Sequence, residues 1–390
     1  MQLHANLMPT TAIVKRGSLA EPFIWDYATG LTRYVPLLVA DAFDPRLDWS
    51  ADRVTLPPAR SGPRLVQRGA RALLGREAYP FELPLPGGAG ASLKRLLAER
   101  RPDVLHAQYG PTAVWLTETL GSKRPPLAVT FFCYDLFGQG KYPFWQEAYR
   151  RVFDSAELIL ALSGYIREFL IEMGCPPEKV EIDRLGVDPV RFGYRDPVAR
   201  ERTVILSVSH FQPKKGLIYL VRAFAEVAGA YPDALLRLVG GGSEEPRVRA
   251  EIAALGIGDR VELLPPVRYD ALPAVYEDAD IFVLPSVMST DFDLDEISMV
   301  ILQAMSVGLP VVTTHHAGIP EVITHGENGL LAEERDVESL AAALDRLLAD
   351  RAAWPRLTRA ARATIETELD VRKQVAVLEQ RYDRMRAAAQ

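Results

Sequence analysis

Residues Ile281–Glu321 read IFVLPSVMSTDFDLDEISMVILQAMSVGLPVVTTHHAGIPE, and this stretch decides the fold. A short apolar run, Ile281–Leu284, stops at Pro285. The loop behind it carries Asp291, Asp293, Asp295 and Glu296. From Ser298 the apolar residues recur at helical spacing until Gly308, and Pro310–Thr314 is again a short apolar run. Strand, loop, helix and strand make one βαβ unit of a parallel sheet, with a right-handed crossover. In such a unit the loop at the carboxyl end of the first strand borders the ligand crevice. The helix opening behind that loop offers free backbone N–H groups to an anion. The same stretch also reads as an ordinary buried βαβ unit with a solvated acidic loop.

Outward from it the pattern repeats. Thr203–His210, Ala234–Gly240 and Arg260–Val267 read as strands separated by helical segments, and a strand in Asn328–Glu333 leads into the last helices. Upstream, strands are expected in Ala12–Gly17, Pro102–Gly110, Leu127–Phe132 and Glu157–Ser163. Helices are expected between them, the first over Ala20–Val35. Residues 51–92, rich in Pro, Gly and Arg, read as loops and a variable helix. The βα order in both halves predicts two parallel α/β domains. Val180–Asp196 breaks the pattern with Gly, Pro and charge and reads as the linker. Domain boundaries follow at 1–184 and 185–368, with a closing helix over 369–390.

Length and composition agree with this. A chain of 390 residues exceeds one compact core. The net charge of −6 argues against a nucleic-acid binder. Cys133 and Cys175 are the only cysteines, which leaves no disulfide framework and fits a reducing compartment. The N-terminus has no apolar signal core, and no apolar run is long enough to span a bilayer. The expected place is the cytoplasm. Between Arg53 and Arg101 ten basic residues face three acids, a local excess of seven in an acidic chain. That segment is either a solvated basic face or a patch for the anionic inner face of a membrane.

Three loops of the second half carry the chemistry. Ser209–Gly216 (SHFQPKKG) offers His210, Lys214 and Lys215. Val239–Glu245 (VGGGSEE) offers Gly240, Gly241 and Gly242, where a backbone can approach a ligand closely. Asp295–Gln303 (DEISMVILQ) puts Asp295 and Glu296 at a helix start, with the backbone of Ile297, Ser298 and Met299 and the side chain of Gln303 behind them. Cations, a close-approach turn and a helix N-terminus suit a diphosphate, and carboxylates suit sugar hydroxyls. Together they point to a nucleotide sugar. Each feature has a plainer reading: Lys214 and Lys215 as a solvated pair, His106 as a satisfied polar residue at a strand end, His315 and His316 as loop supports, Glu321 as the brace of a helix start. No metal-binding constellation is evident.

The chain resembles the retaining glycosyltransferases of family 4, and within them the enzymes of colanic-acid-type exopolysaccharide assembly. The segments that carry the resemblance run the length of the chain: AEPFI, PDVLHAQYG, VTFFCYD, LILALS, LIEMGCPPEKVEIDRLGVDPVRF, PKKGLIYLVRAF, LRLVGGG, ADIFVLPS, ISMVILQAMSVGLPVVTTHHAGIPEVI and GENGLL. The resemblance implies the GT-B fold, two Rossmann-like domains facing across a cleft, with the closing helix returning to the first. It implies an acceptor-binding first domain and a second that binds a nucleoside-diphosphate sugar. The acceptor would be a lipid-linked saccharide, and neither metal nor other cofactor would be required. By the same resemblance Lys215 and Asp295 are the catalytic residues. His210, Gly240–Gly242, Glu296–Met299 and Gln303 join Lys215 in holding the donor, and Phe132 and His106 lie on the acceptor side or touch the sugar. The chain departs from the family pattern where Glu-x7-Glu becomes Asp295 and Gln303, where the phosphate-binding Arg becomes His210, and where a histidine becomes Phe132. Those departures leave a second reading open, a nucleotide-binding subunit of an assembly complex that does not turn over.

Overall fold

The computed structural model describes residues 8–49, 51–57, 88–198 and 200–390. Among them thirteen strands form two sheets, one of seven and one of six, and every pairing is parallel. The sheets belong to two compact units. One comprises the described residues up to Leu162, then Ile166–Asp183 and Val375–Gln390; the other comprises Ser163–Tyr165 and Arg184–Gln374.

In the first unit the strands are β1 (Thr10–Leu19), β2 (Val35–Phe43), β3 (Asp52–Thr55), β4 (Val104–Gln108), β5 (Leu127–Phe131), β6 (Leu158–Ala161) and β7 (Val180–Ile182), in the order β3-β2-β1-β4-β5-β6-β7. The central strands β4, β5 and β6 are buried along their whole length, as continuous Val/Leu/Ala-rich runs covered on both faces must be. The order reverses between β1 and β4, so the carboxyl ends of those two strands flank the switch point of the sheet. The last helix, Val371–Ala388, ends in this unit. There Glu379 accepts the backbone N–H groups of Thr32 and Arg33 at 2.7 and 2.6 Å, and the Tyr34 hydroxyl donates to Asp383 at 2.9 Å.

Three elements differ from expectation. The first helix ends at Gly30, and VPLLVADAF becomes β2. The apolar periodicity of the helix had run on into the strand, with only a single Gly between them. The edge strand β3 (DRVT) is exposed and charged, without the alternation that marks a strand. VEI, read as the start of the linker, is β7, paired in register with β6.

The second unit holds β8 (Thr203–His210), β9 (Ala234–Gly241), β10 (Val261–Leu264), β11 (Ile281–Val283), β12 (Val311–Thr314) and β13 (Leu330–Ala332), ordered β10-β9-β8-β11-β12-β13. One face of this sheet packs Leu220 and Phe224 with Leu344 and Trp354; the other packs Leu206 and Phe282 with Ile301 and Met305. Each such side chain contributes about 1.5–3 kcal/mol on burial. Here the order reverses between β8 and β11. That switch point lies between the loop that holds Lys215 and the loop of the opening stretch.

Candidate active site

The loop after β8 tightens into a turn of 3-10 helix, Pro213–Lys215, and ends at Gly216 with φ +64°. A Cβ on Gly216 would stand 1.9 Å from the carbonyl oxygen of Pro285. Only glycine permits both that conformation and that approach. The consequence is that the two loops at the switch point lie backbone to backbone, with Val287 N–H donating to the Lys214 carbonyl at 2.8 Å.

This contact seats both lysines on the acidic loop. Lys215 Nζ meets Asp295 Oδ2 at 2.5 Å and Ser298 Oγ at 3.4 Å, and the Ser286 hydroxyl donates to the same Asp295 oxygen at 3.1 Å. Lys214 Nζ pairs with Asp293 at 2.9 Å. The side chains of Lys215 and Asp295 are 11 % and 13 % exposed, so the pair is not a solvated one. Burial alone would push the Asp295 carboxyl up. The Lys215 ammonium, with help from Lys214 and Ser286, outweighs it and holds that carboxyl below the usual carboxylate range. Asp295 is therefore an anion that holds a cation in place.

Behind the pair, Glu296 and Ile297 are buried, Ser298 caps the helix Met299–Val307 without using its side chain, and Met299 opens it. On the other side of β8, Ser209 and His210 lie in register with Gly240 and Gly241. Gly240 has φ +148°, and a Cβ there would come within 1.9 Å of the Ser209 carbonyl. Glycine lets β9 run flush against the end of β8, beside the exposed His210; Gly242 follows, exposed, at the mouth of the same turn.

Gln303 is placed differently. It is 2 % exposed, and its Oε1 accepts the hydroxyl of the buried Tyr276 at 2.8 Å. The site also gains members that the sequence reading passed over. Ser286 is one. Another is Glu334, which accepts the Met288 N–H at 3.0 Å and meets His316 Nδ1 at 2.5 Å, so that one carboxylate ties together the loops after β11, β12 and β13. Glu321 accepts the N–H groups of Gly164 and Tyr165, both at 3.0 Å, and pairs with Arg184, the bracing role rather than an open carboxylate.

In the first unit, Phe132 follows β5 and stacks on Tyr109 with ring centroids 4.3 Å apart, and Phe23 packs against it at 5.5 Å. Tyr109 holds φ +75°, its hydroxyl donates to Glu21 at 3.1 Å, and Lys15 pairs with the same Glu21. Below the stack Asp135 accepts the N–H groups of Gly110 and Phe132 at 2.9 and 3.0 Å, and burial pushes its carboxyl up to about 7. These groups stand at the carboxyl ends of β1, β4 and β5. His106 lies within β4, 2 % exposed, with Nδ1 2.6 Å from the Tyr382 hydroxyl and Nε2 2.8 Å from Thr130 Oγ1. Both ring nitrogens are engaged by the chain, which makes His106 the satisfied strand residue rather than one presenting a donor to a sugar.

Among the described residues no group of three or more His, Cys, Asp or Glu side chains is placed to hold a metal ion, and no helix is long and apolar enough to cross a membrane. Of the basic segment, Arg53, Lys94, Arg95, Arg100 and Arg101 are described; Arg60, Arg64, Arg68, Arg71 and Arg76 lie outside the described residues.

Comparison with known proteins gives the fold and the lineage. Residues 195–364 match the family of glycosyl transferases group 1, and residues 29–186 match the glycosyl transferase 4-like domain. The amylovoran biosynthesis glycosyltransferase AmsK of Erwinia amylovora is 37 % identical over 226 residues, 57 % of this chain and 55 % of that protein. A Salmonella typhimurium protein assigned to colanic acid biosynthesis as glycosyltransferase WcaL is 35 % identical over 246 residues, 62 % of this chain and 60 % of that one. The chain thus spans less than two thirds of the length of these relatives. A GDP-mannose-dependent phosphatidylinositol monomannoside mannosyltransferase of Mycobacterium tuberculosis is 30 % identical, covering 70 % of this chain and 74 % of its own. Among solved structures, sucrose-phosphate synthase of Thermosynechococcus elongatus superposes with a TM-score of 0.78 at 19 % identity, over 97 % of this chain and all of the other. HepE of Anabaena, solved with UDP, does so at 0.76 and 18 %, over 96 % of this chain and all of the other. The likeness to these structures shows the fold, which is GT-B, and the sequence matches show the lineage: the chain belongs to the group 1, or family 4, glycosyltransferases.

Proposed function

We propose that the protein is a retaining glycosyltransferase that moves a sugar from a nucleoside-diphosphate sugar to a hydroxyl of a lipid-linked saccharide during bacterial surface polysaccharide assembly, at the inner face of the cytoplasmic membrane. The observation that carries the reading is Lys215, a largely buried ammonium held at the switch point of the second sheet by an ionised Asp295. In the transfer the bond from the anomeric carbon to the diphosphate breaks, and one to the acceptor oxygen forms on the same face. The acceptor proton leaves with the diphosphate. Negative charge grows on the departing diphosphate, where Lys215, His210 and the backbone N–H groups of Ile297–Met299 stabilise it electrostatically. Asp295 keeps Lys215 aimed and offers its carboxylate to a sugar hydroxyl. Gly240–Gly242 let the chain approach the nucleotide. The second unit would bind the donor and the first the acceptor, with Phe132 and the Tyr109 stack on the sugar-facing side. The relatives named for amylovoran and colanic acid biosynthesis support the polysaccharide context.

A second reading, a nucleotide-binding subunit that does not turn over, draws support from Gln303, whose acceptor oxygen is taken by Tyr276. One experiment separates the two. Thermal unfolding is measured against UDP-, GDP- and ADP-sugars, followed by hydrolysis of whichever stabilises. Stabilisation by one nucleotide series with slow hydrolysis is the expected result. Stabilisation with neither hydrolysis nor transfer to any extracted saccharide favours the subunit, and no stabilisation by any of them removes both readings.

A further inference from the structure

Phe292 is the most exposed large aromatic side chain among the described residues, at 64 %, and its φ of +66° lies in the left-handed region. Phenylalanine is a poor choice there on both counts. Glycine or asparagine would hold the same backbone without strain, and an exposed ring contributes nothing to the core.

The surrounding loop is nonetheless tightly built. Ser289 N–H donates to the Asp293 carbonyl at 2.8 Å and Phe292 N–H to the Ser289 carbonyl at 3.1 Å, and Ser289 Oγ lies 2.6 Å from both Asp291 Oδ1 and the Asp293 carbonyl, either of which can take its one hydrogen. Lys214 pins Asp293, and Glu334 pins Met288. A strained residue persists when its surroundings over-determine it, and such residues gather where ligands are clamped. Phe292 and Asp295 are three positions apart in the chain, so their Cα atoms lie within about 11 Å of each other. A sugar on the ring would sit within one or two residues of a saccharide chain from the Lys215–Asp295 pair.

We propose that Phe292 is a saccharide-specificity residue on the donor-binding unit, a platform on which the C–H face of a neutral sugar stacks while the exposed carboxylate of Asp291 accepts a hydroxyl. The inference rests on the glycosyltransferase reading. The charge beside the ring chooses the ligand: Asp293 is paired with Lys214, but the exposed Asp291 would repel an anionic lipid surface, whereas a neutral sugar uses an apolar face and a carboxylate acceptor together. A carboxylate oxygen already accepting one hydrogen bond keeps capacity for another.

The test is saturation-transfer NMR with the methyl glycosides of glucose, galactose and mannose, on the full chain with UDP or GDP present, for the wild type, F292N and F292W. The expected result is transfer onto ring C–H protons of at least one glycoside in the wild type, its loss in F292N and its retention in F292W. Asparagine suits the left-handed backbone, so F292N should melt no lower than the wild type, which separates loss of the platform from loss of the fold. Transfer to no glycoside in the wild type, equal transfer in F292N, or Phe292-dependent pelleting with anionic phospholipid vesicles would overturn the proposal. Failure of the wild type to bind any nucleotide sugar is a different result: it removes the enzyme reading, while the glycoside signal still reports on Phe292.

Discussion

The Lys215 ammonium stands 2.5 Å from Asp295 Oδ2, eighty residues away in sequence, and the Ser286 hydroxyl meets the same oxygen. A diphosphate that uses Lys215 must share it with this carboxylate. Lys215→Ala should lower donor turnover by about 10²- to 10³-fold, the scale of a lost electrostatic donor. It should also cost several kcal/mol of stability, because Asp295 is left as a buried charge without its partner. Asp295→Asn should behave in the opposite sense toward the product: binding of UDP or GDP alone holds or tightens, while sugar turnover falls. Titration calorimetry with the nucleotide and a donor-hydrolysis assay on both variants decide it. Weaker nucleotide binding in Asp295→Asn would show that the carboxylate organises the phosphate site rather than competing within it.

The resemblance to the family sets Gln303 where its second acid is expected, and the structure turns the Gln303 oxygen onto Tyr276. Gln303→Glu restores the charge. A carboxylate can accept the Tyr276 hydroxyl with one oxygen and a ribose hydroxyl with another, and charge-assisted hydrogen bonds are roughly twice as strong as neutral ones. Nucleotide affinity should rise by about three- to tenfold, with a stability loss of roughly 1–3 kcal/mol for the buried charge. Affinity by calorimetry and stability by urea unfolding test both halves. Unchanged affinity would mean that this position no longer meets the ribose.

How much of this could be read from the chain depends on the range of the interactions. The second sheet was legible because its strands are short apolar runs stopped by Pro, Gly or charge, and the helix Met299–Val307 ends at Gly308 as its sequence requires. β2 was not, because the helix pattern before it runs on through Leu31–Tyr34 with no break but Gly30. β7 was not, because three residues among charges look like linker until β6 pairs with them. Lys215 and Asp295 were both singled out as separate site residues, yet their contact depends on how the loops at β8 and β11 meet, which no local pattern states. The partners of His106 are no more local: Thr130 is on the next strand, and Tyr382, further away in sequence than Asp295 is from Lys215, is on the last helix.

His106 gives a pH prediction. Burial, with a smaller push from Arg381, lowers its folded-state pKa to about 3, from 6.5 when exposed. The unfolded chain therefore binds a proton between those values that the folded chain refuses. The stability contributed by neutral His106 is complete above about pH 6.5 and is lost as the pH falls toward 3, at up to about 1.4 kcal/mol per unit. His106→Gln cannot titrate. The wild type should exceed it in stability at pH 7.5 and lose about 2 kcal/mol of that margin by pH 5. Urea midpoints at the two pH values measure this. A margin that stays constant would mean that the ring gains a proton, or water, in the folded state.

Arg381 argues the last case. It is almost fully buried, and one guanidinium holds Glu181 at 2.9 Å, the carbonyl of Ile182 at 2.5 Å and the carboxylate of Asp183, so it fastens the edge strand β7 to the last helix. Asp183 is buried too, and burial pushes its carboxyl up to about 6 even though Arg381 pulls it down. A carboxyl raised in this way is fully compatible with folding below its unfolded value of 3.8, and the stability it leaves intact is lost as the pH rises through about 6. Arg381→Ala removes the opposing pull. Asp183 should then titrate higher still, and the variant should lose about 3–5 kcal/mol near neutral pH, the cost of breaking a buried pair. At pH 5, where Asp183 takes up a proton, the loss should be smaller. Arg381→Ala/Asp183→Asn should recover much of it at pH 7.5, because no buried charge remains. If the double variant is no more stable than Arg381→Ala, the hydrogen bonds to Glu181 and Ile182, rather than the charge on Asp183, hold β7 in place.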